Sequence, residues 1–143
     1  MDDQLITAIA EAMAQGDKIH DTLGMERLEV SLGGAVFALD VTQAHANGHG
    51  ICHGGVIFTL ADSAFAYACN SHNDRAVAQH NSITYVAPAK IGDRLTATAL
   101  ELSRTGRSGI TDVIVTNQAG ETIALFRGHS RTIGGQHVAI ADC

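Results

Sequence analysis

The chain has 143 residues, of which 45% are hydrophobic and 17% charged, with fifteen glycines and one proline. This is the composition of one globular domain over residues 1–143, and it excludes disordered and fibrous classes. A formal net charge of −6 argues against nucleic acid as the main partner, and no apolar run approaches the roughly 20 residues of a membrane helix.

The start, Met1-Asp2-Asp3-Gln4, is acidic and lacks the basic opening of a secretory signal, so a cytoplasmic protein is expected. Cys52, Cys69 and Cys143 are odd in number and show no C-x-x-C spacing, which predicts free thiols. Charge is unevenly spread. Residues 1–74 carry ten acidic and two basic side chains, a net −8, while residues 75–143 carry five and seven, a net +2. An anionic ligand would meet the later half, with Lys90, Arg94, Arg104, Arg107, Arg127 and Arg131. Taken singly, each of these reads better as a solvated strand end.

Leu5, Ile6, Ile9 and Met13 recur at helical spacing, predicting an amphipathic helix over 3–15. A short helical piece over 17–23 should stop at Gly24. Residues 25–32 and 35–41 read as strands joined at Gly33-Gly34, and 42–52 as a polar, glycine-bearing loop. Residues 53–70, HGGVIFTLADSAFAYACN, have the length of about five helical turns and almost no polar face. A helix without a wet face belongs inside a protein. Strand-like segments follow near 76–87, 93–103, 108–117 and 121–133, and the tail beyond Gly134-Gly135 is expected to fray. The order predicts an α+β domain, a long central helix wrapped by a curved antiparallel sheet whose exposed edges invite a second copy.

Asp62 stands in the middle of the apolar helix, among Phe58, Ala61, Phe65 and Ala66. A carboxylate there costs on the order of several kcal/mol unless hydrogen-bonded. It is therefore either a structural acid bound to a neighbouring donor or a catalytic one in a cleft. Ser63 beside it can hold a reacting water or bond back to a helix carbonyl. Gly54 and Gly55 open the helix, where backbone N–H groups lack partners and the dipole is positive, so a developing oxyanion could be held there. A plain glycine-rich turn is the bland alternative. Gly54 and Asp62 are eight residues apart, about 12 Å along one helix, too far for both to act on one carbonyl. If both act on one substrate, they come from different subunits.

Asn47-x-x-Gly50-x-x-His53-Gly54-Gly55, followed by Leu60-x-Asp62-x-Ala64, resembles the signature of hotdog-fold acyl-CoA thioesterases. The strings DSAFAYACNS (62–71), ALFRG (124–128) and IGG (133–135) are similar to the phenylacetate-degradation (PaaI-type) branch. The resemblance implies hydrolysis of acyl-CoA to free acid and coenzyme A, with phenylacetyl-CoA or its ring-hydroxylated relatives as the first expectation and medium-chain acyl-CoA open. It makes Asp62 the nucleophile or general base, gives the Gly54 N–H to the thioester carbonyl, and uses Asn47 and His53 to position the thioester or the loop. Gly55 and Ser63 would lie beside the substrate. Arg104, Arg107, Arg127 and Arg131 would be candidates for the coenzyme A handle. Homodimers or homotetramers are implied, with no metal and no cofactor beyond the coenzyme A of the substrate.

Other signals carry less. His45, His49 and His53 would line up as metal ligands on a helix, but Gly48 and Gly50 speak against one there. Cys52 beside His53 reads as a buried thiol rather than a nucleophile. Gly128-His129-Ser130-x-Thr132 falls short of a nucleophile elbow for want of its second glycine. The competing readings are a hotdog hydratase, pairing His53 with Asp62, and a non-catalytic acyl-CoA-binding protein.

Overall fold

The structure is a computed structural model that describes residues 1–140; Cys143 lies outside the described residues. Helix α1 (Asp3–Gln15) begins where the Asp2 carboxylate accepts the Leu5 N–H at 2.8 Å, and it buries Ile6, Ile9 and Ala10. Helix α2 (Ile19–Leu23) is shorter than the sequence suggests and stops at Gly24, left-handed at φ +76°. Strands β1 (Met25–Ser31) and β2 (Gly34–Asp40) form the expected hairpin. Its turn is Leu32-Gly33, because Ser31 pairs with Gly34 and only Gly33 needs the left-handed φ of +72°.

Helix α3 (Gly54–Asn70) is the long apolar helix. Strands β3 (Asp74–Tyr85), β4 (Arg94–Thr105), β5 (Ser108–Thr116) and β6 (Thr122–Gln136) follow. All neighbours in the six-stranded sheet are antiparallel, in the order β1-β2-β4-β5-β6-β3. The chain therefore leaves the hairpin, runs through α3, and lays β3 on the far edge before filling the middle. Alternation along β4 buries Leu95, Ala97 and Ala99 beneath α3. Phe37 and Leu39 of β2, Val113 and Val115 of β5 and Phe126 of β6 complete the floor on which Leu60, Ala64, Phe65 and Ala68 rest.

The tail is more ordered than expected. Strand β6 continues through Gly134 and Gly135, both at φ +87°, to pair Gln136 with Asp74. Beyond it, the Val138 carbonyl accepts from Asn73 Nδ2 at 2.9 Å. No helix among the described residues is long and apolar enough to cross a membrane.

Strand β3 pairs only with β6, so its other edge offers unpaired backbone groups, and Val77 on it is 47% exposed. Gly128 of β6 pairs with Asn81 of β3 and lies under the Phe65 ring of α3. A Cβ at Gly128 would come within 2.5 Å of that ring, so the missing side chain is what lets α3 settle this close to β3 and β6. Gly128→Ala is therefore expected to lower unfolding free energy by about 1–3 kcal/mol, the usual cost of overpacking. Chemical denaturation at unchanged m-value measures it.

Candidate active site

The loop before α3 is built by its own polar side chains. Asn47 Oδ1 accepts from the His49 N–H at 2.9 Å and the Ile51 N–H at 3.3 Å. Gly50 closes the turn onto the Asn47 carbonyl with φ +77°. This explains the Asn-x-x-Gly spacing: an acceptor that caps the turn and a residue free to go left-handed. The loop is then tied to the segment after β3, since Cys52 N–H donates to the Ala89 carbonyl at 2.9 Å.

His45 Nδ1 accepts from the Thr42 N–H at 3.0 Å, and its Nε2 faces the Leu23 carbonyl at 2.8 Å. Both ring nitrogens are thereby occupied by backbone groups, and the three loop histidines do not share a helix. His53 is the N-cap of α3, its Nδ1 accepting the Gly55 N–H at 2.8 Å. Of the two glycine donors proposed from sequence, Gly55 is thus used by the cap. The Gly54 N–H has no partner among the described residues, and it sits at the positive end of a helix of 17 residues.

A cleft of about 310 Å³ opens at this N–H, with Ile51, Ile57, Tyr85, Val86 and Pro88 among its apolar walls. Tyr85 carries no signal in the sequence. It ends β3, and its hydroxyl donates to the Gly54 carbonyl at 2.7 Å. A Cβ on Gly54 would meet the ring at 3.0 Å. Gly54 is therefore a glycine for close approach as well as for access to its N–H. Burial raises the Tyr85 pKa, followed by the nearby Cys52, so the phenol remains a donor at neutral pH. Burial also pushes the Cys52 thiol up to about 11, leaving it protonated and a poor nucleophile.

Asp62 lies elsewhere. It does not line that cleft; it stands two helical turns on, about 12 Å from Gly54 along α3. It is half-buried and accepts a hydrogen bond from Asn81 Nδ2 of β3 at 3.1 Å. Burial raises its pKa above the ordinary carboxylate value, and the Asn81 bond works against that rise. Asn81, too, has no signal in the sequence, because only the pairing of β3 with β6 brings it beneath α3. Ser63 turns the other way: it is buried, with Oγ directed at Met25 Sδ at 3.9 Å, and bonds neither to a helix carbonyl nor toward the cleft.

The basic side chains are dispersed. Arg104 pairs with Asp74 at 2.7 Å, and Arg127 grips Asp112 through two bonds at 2.6 and 2.9 Å. Arg94 bridges Glu26 and Asp40. Arg107 and Arg131 are exposed and free of ion pairs among the described residues. Arg104 and Arg107, at the end of β4 and in the turn after it, and Arg131 lie toward the end of the sheet where α3 finishes. Lys90, exposed, is bridged to Ile51 of the cleft wall.

A curved antiparallel sheet around a long helix, with a bare N–H at the helix start and an acid in its middle, defines a hotdog-fold hydrolase. The comparisons agree. The thioesterase superfamily profile matches residues 49–124, and the chain belongs to that superfamily. It is 44% identical to the acyl-coenzyme A thioesterase PaaI of Escherichia coli K12 over 126 residues, 88% of this chain and 90% of that one. The solved structure of the E. coli PaaI protein from the phenylacetic acid degradation operon superposes with a TM-score of 0.90 at 42% identity, covering 93% and 96% of the two chains. A hypothetical thioesterase with coenzyme A from Streptococcus pneumoniae TIGR4 superposes at 0.75 with 26% identity, covering 78% and 90%.

Because Asp62 is held partly out of water with its pKa raised, the folded state favours its protonated form. Its contribution therefore destabilises as pH rises through the unfolded and then the folded pKa. Asp62→Asn is expected to melt no lower than the wild type at pH 7 while losing about a hundredfold or more in hydrolysis. Calorimetry and rate measured on the same preparation check both halves.

Proposed function

We propose that the protein hydrolyses acyl-CoA thioesters to the free acid and coenzyme A, acting on phenylacetyl-CoA or a ring-hydroxylated relative. The observation that carries this reading is the unpaired Gly54 N–H at the start of α3, opening on an apolar cleft with an aromatic wall, Tyr85. The likeness to the E. coli thioesterase supports the reaction and the aryl substrate. The coenzyme A seen with the pneumococcal protein supports the nature of the leaving group.

A thioester carbonyl has little resonance stabilisation, so a single well-placed N–H and a carboxylate go far. The Gly54 N–H and the helix dipole would hold the carbonyl oxygen as it gains charge, an interaction typically worth about 3 kcal/mol of barrier. Ionised Asp62 would either attack the carbonyl, releasing the coenzyme A thiolate and leaving a mixed anhydride that water opens, or take the proton of a water attacking directly. Neither route calls for a resident metal or a cofactor beyond the coenzyme A of the substrate.

Because one chain holds Gly54 and Asp62 too far apart, the working site takes Gly54 from one subunit and Asp62 from another. The unpaired edge of β3 suits that assembly. It is long and free of proline, its only charges being Asp74 and Arg75 at one end, so it lacks the devices that keep edges apart. Antiparallel pairing of two β3 edges would bring one Tyr85 end beside the partner's Asp74 end, where Arg104, Arg107 and Arg131 could meet the coenzyme A phosphates. A homodimer is the smallest assembly that completes the site, and a homotetramer contains the same pair.

A hydratase reading is weaker in this geometry. His53 Nδ1 is used to cap Gly55, and His53 and Asp62 lie at different turns of one helix.

The test is release of coenzyme A thiol from a panel of aryl and alkyl acyl-CoAs. Fast release from phenylacetyl or hydroxyphenylacetyl esters, with straight-chain esters at least about tenfold slower in kcat/KM, is the expected pattern. Binding without release across the panel would overturn the reading in favour of a non-catalytic acyl-CoA-binding protein.

A further inference from the structure

Asn81 makes an unusual set of contacts for a partly buried amide. Its Nδ2 gives one hydrogen bond, to Asp62 Oδ1 at 3.1 Å. Its Oδ1 is buried and has no partner among the described residues. Buried polar atoms without partners are rare because their lost hydration is not recovered. The residue opposite it, Gly128, has no side chain to answer it. Nothing in the packing of β3 against β6 therefore calls for an amide at this position; an apolar side chain would fill the same space without an orphaned oxygen. Among the described residues, the one hydrogen bond its side chain makes is the one that holds Asp62.

We propose that Asn81 is the positioning residue of the site: its N–H fixes the carboxylate of Asp62 in one orientation, with Oδ1 held and Oδ2 left open for the reaction, and it is kept at some expense to stability. The proposal rests on Asp62 being the acid of the thioesterase reaction. Gly128 is part of the same arrangement, since it lets α3 approach closely enough for the bond to form.

The charged surroundings of Asp62 are simple. Burial and the Asn81 bond are the causes of its shift, and Asp62 forms no ion pair among the described residues. The titratable group it does influence is the Cys69 thiol further along α3, itself pushed up to about 12, chiefly by burial, and so neutral throughout the working range. Burial raises the Asp62 pKa and the Asn81 N–H lowers it, so loss of the N–H moves it upward. Since Asp62 works only when ionised, the acid limb of the rate profile must move to higher pH.

Asn81→Leu removes the donor and the orphaned oxygen together, and Asn81→Asp keeps the shape while replacing the donor with a second carboxylate. For Asn81→Leu, kcat on an aryl-CoA should fall about tenfold to a hundredfold, the scale of a misplaced catalytic group, with KM little changed. Its acid limb should lie at higher pH than that of wild type, and its melting temperature at or above it. Asn81→Asp should move the limb further still, because two adjacent carboxylates resist joint ionisation.

Titration of the Asp62 carboxyl carbon by NMR, in wild type and Asn81→Leu without substrate, should show the same upward move. That arm stands apart from the reaction: a wild type that hydrolyses no acyl-CoA would defeat the thioesterase reading, while the titration still reports whether Asn81 governs Asp62. A wild-type rate and profile in either variant would overturn the proposal. So would an unshifted limb and titration accompanied by a lower melting temperature, which would make Asn81 a purely structural residue.

Discussion

Helix α3 has to be buried. Leu60, Ala61, Ala64 and Ala68 of this helix are wholly enclosed, and Phe65 and Tyr67 nearly so, and no arrangement of a single flat sheet covers a helix so apolar. The sheet bends round it, the hairpin lies on one side and β3 on the other, and the chain must cross the whole sheet through α3 to set β3 at the far edge. That crossing has a chemical consequence. It puts the start of α3 against the end of β3, where Tyr85 meets Gly54, and the middle of α3 against the middle of β3, where Asn81 meets Asp62. The fold thus sets a bare N–H donor and a half-buried acid two turns apart on one helix.

The two halves are made by opposite means. At Gly54, structure is removed: two glycines, a cap supplied by His53 from outside the helix, and a first N–H left bare. At Asp62, structure is added: a carboxylate in apolar surroundings, one amide to hold it, and burial to keep its proton affinity high. In the proposed reaction the first would stabilise negative charge on a substrate oxygen, and the second would supply an electron pair. Keeping them apart on one chain leaves the Gly54 N–H clear of the Asp62 carboxylate, which would otherwise compete for it. If both act on one substrate, their separation along a rigid helix leaves the joining of the two to subunit pairing rather than to local flexibility.

Much of this is legible in the residues. Helix α3 is readable because a long run with no wet face has one good solution. The Asn47-to-Gly50 turn is readable because a side-chain acceptor and a left-handed glycine leave a fixed spacing. The hairpin turn falls one residue earlier than the sequence suggests, since Gly33-Gly34 offers two glycines and only the pairing of Ser31 with Gly34 decides which of them turns. Asn81 and Tyr85 are not readable at all. They are ordinary polar and aromatic residues of a strand, and their roles come from what α3 brings opposite them across the chain. Ser63, next to the acid in sequence, points into the core, because neighbours on a helix face different ways. Glycines in the tail suggest fraying, yet those glycines turn β6 so that Gln136 and Val138 return to Asp74 and Asn73.

Whether one working site draws on two chains is decided by mixing subunits. One subunit would carry Asp62→Ala and the other Gly54→Val, each inactive alone, co-expressed with different tags so that hetero-oligomers can be isolated and counted. A random one-to-one mixture of dimers should recover about a quarter of wild-type thiol release, because half the dimers are mixed and each of those has one intact site out of two. Verified hetero-oligomers with no recovered activity would rule out a shared site and return Gly54 and Asp62 to separate roles within a single chain.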